Sequence, residues 1–145
     1  MASIRIPSSA NALLPFCSKY QEANDHPCFD TFAQMIATSA AMGYHLSGPN
    51  SPAACRSFLA QPYPIDLAIF RSLGLLPQLL AITMSVLGNP DDAIDENHLV
   101  KLIEDLADEG LKTMERLLVD NGETEFPWAL SSWIANPPKV EHDQI

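Results

Sequence analysis

Apolar positions recur at three- and four-residue spacing in two long stretches, and each spacing predicts an amphipathic helix. The first runs from about Thr31 to Met42, with Phe32, Met35, Ile36, Ser39 and Ala40 on one face. Asp30 is placed to cap it through its carboxylate, and Gly43 to stop it in a left-handed turn. The face is small in bulk, so a second helix can approach closely. The second stretch begins at Asp95-Glu96, where carboxylates favour the positive end of the helix dipole, and ends at Asn121-Gly122. Leu99, Leu102, Ile103, Leu106, Gly110, Met114 and Leu117 form its stripe, widened by Val100, Ala107, Leu111 and Leu118. Lys101, Glu104, Asp105, Asp108, Lys112 and Glu115 fall opposite, as a solvated face. Gly110 costs about 1 kcal/mol against Ala inside a helix, and a close helix crossing would offset that.

Between them, Leu79, Leu80, Ile82, Met84, Val86 and Leu87 follow Pro77 with almost no polar face. A helix apolar all round is a buried one, which makes this the expected centre of the domain. From His45 to Pro64 the chain is rich in Ser, Gly, Asn and Pro, a long loop with one short helix expected between Ala53 and Leu59. Ile65, Leu67 and Ile69 alternate with Asp66 and Ala68, but a strand there has no visible partner, so helix or extended loop is preferred. Trp128 to Ile134 predicts a short last helix. Pro7, Pro15 and Pro27 interrupt the start of the chain. The expected organisation is an N-terminal arm over 1–28, outside the core, a single helical domain over 29–135, and a disordered tail over 136–145. The fold class is mostly all-α: a compact bundle of about four to five helices with one long Pro/Gly/Ser-rich loop.

Length fits one domain: the sequence has 145 residues, 47% of them hydrophobic. The longest apolar stretch, Leu73 to Leu87, is interrupted by Gly74, Pro77, Gln78, Thr83 and Ser85. It falls short of the roughly 20 residues of a membrane span. No basic, apolar leader is visible, and a cytoplasmic protein is expected. The net charge is −10, and twelve acids between Asp91 and Glu125 face only Lys101, Lys112 and Arg116. Binding to nucleic acid requires Lys and Arg against phosphates, so direct DNA binding is not expected and a basic partner surface is favoured.

Cys17, Cys28 and Cys55 are odd in number and far apart, which fits ordinary thiols rather than a disulfide framework or zinc site. His26 near Cys28 is an isolated pair, and His45, His98 and His142 have no ligand-spaced partner. Asp91, Asp92, Asp95 and Glu96 lack the glycine turn of a calcium loop. No phosphate loop, nucleophile elbow or zinc-protease motif occurs. The expectation is a protein without cofactor or metal that binds other macromolecules and is not an enzyme. Arg56, Tyr63, Ile65, Phe70 and Arg71, in and just after the long loop, are the candidate partner-binding residues, since aromatics and Arg anchor interfaces. A homo-oligomer is a further option.

The order of elements resembles a known group. Phe29-x-Thr31 leads into a helix that ends Ala40-Ala41-Met42-Gly43-Tyr44, and a loop closes on Pro64-Ile65 and Phe70 before a buried helix. Leu106-Ala107-Asp108-Glu109-Gly110-Leu111 then lies in an amphipathic helix ending Leu117-Leu118. Over roughly residues 29–120 this is similar to the small accessory proteins encoded beside bacterial DNA phosphorothioation (dnd-type) modification and restriction genes. Such proteins carry basic residues after the glycine of the first helix, where His45-Leu46-Ser47-Gly48 stands here. The resemblance implies a non-catalytic accessory or regulatory subunit of an anti-phage modification–restriction system, bound to a larger ATPase or nuclease. The alternative is a free-standing acidic inhibitor that imitates DNA, presenting Glu104, Asp105, Asp108 and Glu109.

Overall fold

A computed structural model describes residues 2–25, 27–48, 50–88 and 95–140. Helix α1 spans Phe32–Ser47. Thr31 caps it, its hydroxyl accepting from the Gln34 N–H at 3.1 Å, while the Asp30 N–H donates to Gln34 Oε1 at 2.8 Å. This exchange satisfies the orphan donors of the first turn, and it moves the cap one residue beyond the expected Asp30. The helix also runs past Gly43 and stops at Gly48, which adopts φ 62°. Gly43 has another task. A Cβ on it would overlap the Leu106 carbonyl, and one on Gly110 would overlap that of Ser39. Leu106 and Gly110 lie on α4, which spans Glu96–Asn121 with Asp95 as N-cap, its side chain accepting from the Asn97 N–H. The two helices therefore cross backbone against backbone, each glycine seated on the other helix, as the small face of α1 and the position of Gly110 led one to expect.

That crossing is the centre of the molecule. Met35, Ile36, Ala40, Ile103, Leu106, Leu111 and Met114 are fully buried around it. The segment expected to be a free arm is part of this core. Residues Ser8–Phe16 form a 3₁₀ helix, and Ile4, Ile6, Leu13, Leu14 and Phe16 are all buried. The Phe16 ring packs 4.6 Å from that of Phe126, in helix α5 (Phe126–Ala135). With three residues per turn, the 3₁₀ stretch does not show the helical spacing that marks α-helical core in a sequence.

The alternating residues at 65–69 do contain a strand. β1 (Ser3–Ile4) pairs antiparallel with β2 (Ile65–Asp66), Ser3 opposite Asp66 and Ile4 opposite Ile65. The partner comes from the segment assigned to the arm. Asp66 then caps α2 (Leu67–Ser72), accepting from the Ala68 N–H at 2.9 Å. Helix α3 spans Leu76–Leu87 and ends at Gly88, φ 69°. It is not the innermost helix: only Leu79 and Thr83 are buried in it, and Met84 leaves 43% of its surface exposed. No helix forms between Ala53 and Leu59; that stretch is extended, and Phe58 bridges to Pro7. The start of the expected tail, 136–140, is without regular structure. His26, Asp91, Asp92 and His142 lie outside the described residues.

Candidate interaction surfaces

The charged side of α4 is solvated at Lys112 and Glu115 but not at its carboxylates nearer the middle. Glu104 has no exposed surface, and Asp105 and Asp108 are each 9% exposed. Glu104 Oε2 accepts from the Arg5 backbone N–H at 2.7 Å and from Nε at 3.0 Å, while Oε1 accepts from Nη2 at 2.9 Å. This fork fixes both the position and the charge of Arg5, whose hydrogen bonds to Glu104 raise its pKa above the usual guanidinium value. The same guanidinium lies 3.8 Å over the Phe58 ring. Asp108 accepts from Ser9 at 2.6 Å and pairs with Lys112 at 3.0 Å. Asp105 accepts from the Cys55 N–H at 2.8 Å and pairs with Lys101, whose ammonium also donates to the Cys55 carbonyl at 2.6 Å. Ser47 donates to Glu109.

Three successive carboxylates thus hold two irregular strands of chain against α4. Residues 5–9 and 55–59 are further tied to each other through Ser8 N–H to Ser57 O at 2.9 Å and Leu59 N–H to Ile6 O at 2.8 Å. Among the described residues no buried side-chain polar atom lacks a partner. Of the four acids of the inhibitor alternative, Glu104, Asp105 and Asp108 are buried and Glu109 is half-buried. An (i, i+4) charge pattern shows the Lys101–Asp105 and Lys112–Asp108 pairs, but not the distant groups that complete them.

The candidate partner-binding residues are scattered over three environments. Arg56 and Arg71 are exposed, and Tyr63 is 73% exposed, just after the cis Gln61–Pro62 peptide. Ile65 is half-buried in β2, and Phe70 is a fully buried core residue. Phe70 cannot touch a partner in this fold, so the five do not form one surface. Some of the exposed apolar side chains lie beside them, others being Val119, Trp128 and Ile134. Ile69 and Leu73 on and after α2, with Met84 on α3, are each more than two-fifths exposed, and α2 packs on α3. From Leu76 to Leu87 no residue of α3 is charged.

A second feature was invisible in the sequence. Helices α1 and α5 both pack on α4 but have little direct contact with each other. Between them opens a groove of about 730 Å³. Ala37, Thr38 and Ala41 form the small-residue wall from α1, and Trp133 and Ile134 the bulky wall from α5. Leu75 and Gln78 border it, so the groove adjoins the start of α3. At one end the His45 ring meets Trp133 edge-on at 5.7 Å, and His45 Nε2–H donates to the Pro138 carbonyl at 2.6 Å. At the other, Cys28 and Phe29 hang from the Phe16 carbonyl by their N–H groups at 2.7 and 3.1 Å. Among the described residues no Asp, Glu, Lys or Arg lines it. Its size is that of a binding cleft. Trp133 was the one legible clue, since the wall of alanines carries no signal of its own.

Burial raises the pKa of all three thiols, that of Cys17 to about 12, so none is poised as a thiolate nucleophile. Among the described residues no cluster of three His, Cys, Asp or Glu could hold a metal ion, and no helix is long and apolar enough to cross a membrane. Compared with known proteins, the chain matches no family model, no curated protein and no solved structure.

Proposed function

We propose that this chain is a non-catalytic binding subunit that docks on a larger protein through the apolar surface of α2 and α3. The observation that carries this is the uncharged, half-exposed helix α3 in a chain of net charge −10. An exposed apolar helix face is a feature that protein interfaces use. The resemblance over residues 29–120 names the setting: an anti-phage DNA phosphorothioation-linked system in the cytoplasm, with an ATPase or nuclease as the partner. The chain's few cations, several of them engaged with α4, favour contact with the protein component rather than with DNA.

Co-expression with the proteins encoded beside it tests this. The chain co-purifies with one of them, and Leu73→Glu with Met84→Glu abolishes the complex while the variant keeps its helical circular dichroism. The purified chain alone shows no retention of duplex DNA at physiological salt, with or without phosphorothioate linkages. Tight DNA binding, or a complex unaffected by the double substitution, would overturn the docking reading.

A further inference from the structure

The groove between α1 and α5 has an electrical polarity that its uncharged walls do not. Both helices start at the Cys28–Phe29 end, since Phe16 ties Phe29 and Phe126 together there, and both finish at the end where His45 meets Trp133. Asp30 and Glu125 flank the first end, one just before each helix, and both are exposed. Glu123 is held beside them by a 3.3 Å hydrogen bond from Asn24. Lys139 stands at the opposite end, exposed, next to the Pro138 that His45 grips.

We infer that the groove receives an amphipathic helix from the partner protein, lying antiparallel to α1 and α5 with Lys or Arg in its last turn. This rests on the docking reading and names what the partner supplies. The shape argues for a helix: α1 and α5 both pack on α4 with little contact between them, and an inserted helix would complete a set of four. Ala37, Thr38 and Ala41 leave room for bulky apolar side chains at three- and four-residue spacing, the helix-in-groove mode of recognition. The charges fix its direction. A basic last turn complements both its own dipole and the carboxylates at Asp30, Glu123 and Glu125.

The probe is a fluorescein-labelled, 18-residue amphipathic peptide with a Leu/Ile stripe and three Lys in its last turn, read by fluorescence anisotropy. A second peptide carries Gln at those three positions and is matched in helicity by circular dichroism. The Lys peptide binds about tenfold more tightly than the Gln peptide, as three exposed ion pairs allow, and the difference shrinks as salt is raised. Ala41→Trp, which fills the groove from an exposed position, abolishes binding of both peptides. Asp30→Lys with Glu125→Lys removes the preference but not the apolar binding. Leu73→Glu with Met84→Glu leaves peptide affinity unchanged. Equal binding of the two peptides, or binding that survives Ala41→Trp, overturns the inference. So does a concentration-dependent dimer in sedimentation that Ala41→Trp dissociates, for then a second copy fills the groove. If the peptide binds as stated but no neighbouring protein co-purifies, the docking-subunit reading falls and the groove assignment stands.

Discussion

Glu104 on α4 has no surface in water, while Met84 on α3 leaves 43% of its own exposed. The two helices show that burial follows partners, not polarity. A carboxylate is costly to bury alone, but Glu104 receives three donors from Arg5, and its charge is matched as it is desolvated. Most apolar side chains of α3 are only partly covered by the described residues. Of its twelve residues Leu79 and Thr83 are fully buried, and the Thr83 hydroxyl is satisfied by the Leu79 carbonyl at 3.0 Å. One region is closed on itself and the other left open.

If the closed region depends on the α1–α4 crossing, Gly110→Val should have the largest effect of any change here. The added side chain meets the Ser39 backbone, which cannot yield without moving α1. A loss of about 3 kcal/mol or more is expected, read by urea denaturation, and a variant as stable as the parent would show that the helices do not meet there. Arg5→Ala comes next. It strips the side-chain partner from a buried carboxylate, but Arg5 is itself 49% exposed and its N–H remains, so the loss is about 1–3 kcal/mol rather than the full value of a buried pair. Leu73→Glu with Met84→Glu should change stability by only about 0.5 kcal/mol or less for each site, the range of surface substitutions. A large loss would mean that α3 is structural rather than open.

A further expected effect is a decline in stability at alkaline pH. Cys17 ionises near its ordinary value of 9.0 when unfolded but is held as a thiol to about pH 12 in the fold. Its burial therefore favours the folded state fully below pH 9, and that contribution is lost as pH rises from 9 toward 12. Cys17→Ala, melted at pH 7 and pH 10, should lose less stability between the two than the parent. An equal loss would place the alkaline sensitivity elsewhere.

The difference between the two regions also marks where the sequence could be read. Helix α4 was legible to within a residue at both ends, because its stripe, N-cap and terminal glycine agree. Gly110 was legible as a close crossing. Its acidic side was misread because the groups that cover it, Arg5 and Ser9, lie 99 residues away along the chain. Strand β2 was discounted for the same reason, its partner being Ser3–Ile4. In α3 the fault lay in the pattern itself. An unbroken apolar run looks the same whether it faces a core or a partner. The groove had almost no signature beyond Trp133, being a space between helices that only the packing creates.

The clasp between Arg5 and Glu104 also sets an order of events during synthesis. The residues around Arg5 leave the ribosome before α4 does, and their anchor is made 99 residues later. At about 5–20 residues per second, the interval is about 5–20 s. Throughout it Ile4, Ile6, Leu13 and Phe16, all destined for burial, have no α4 to cover them. They are the segment a nascent-chain chaperone would find exposed, and their shielding is completed only when Glu104 and Asp108 emerge.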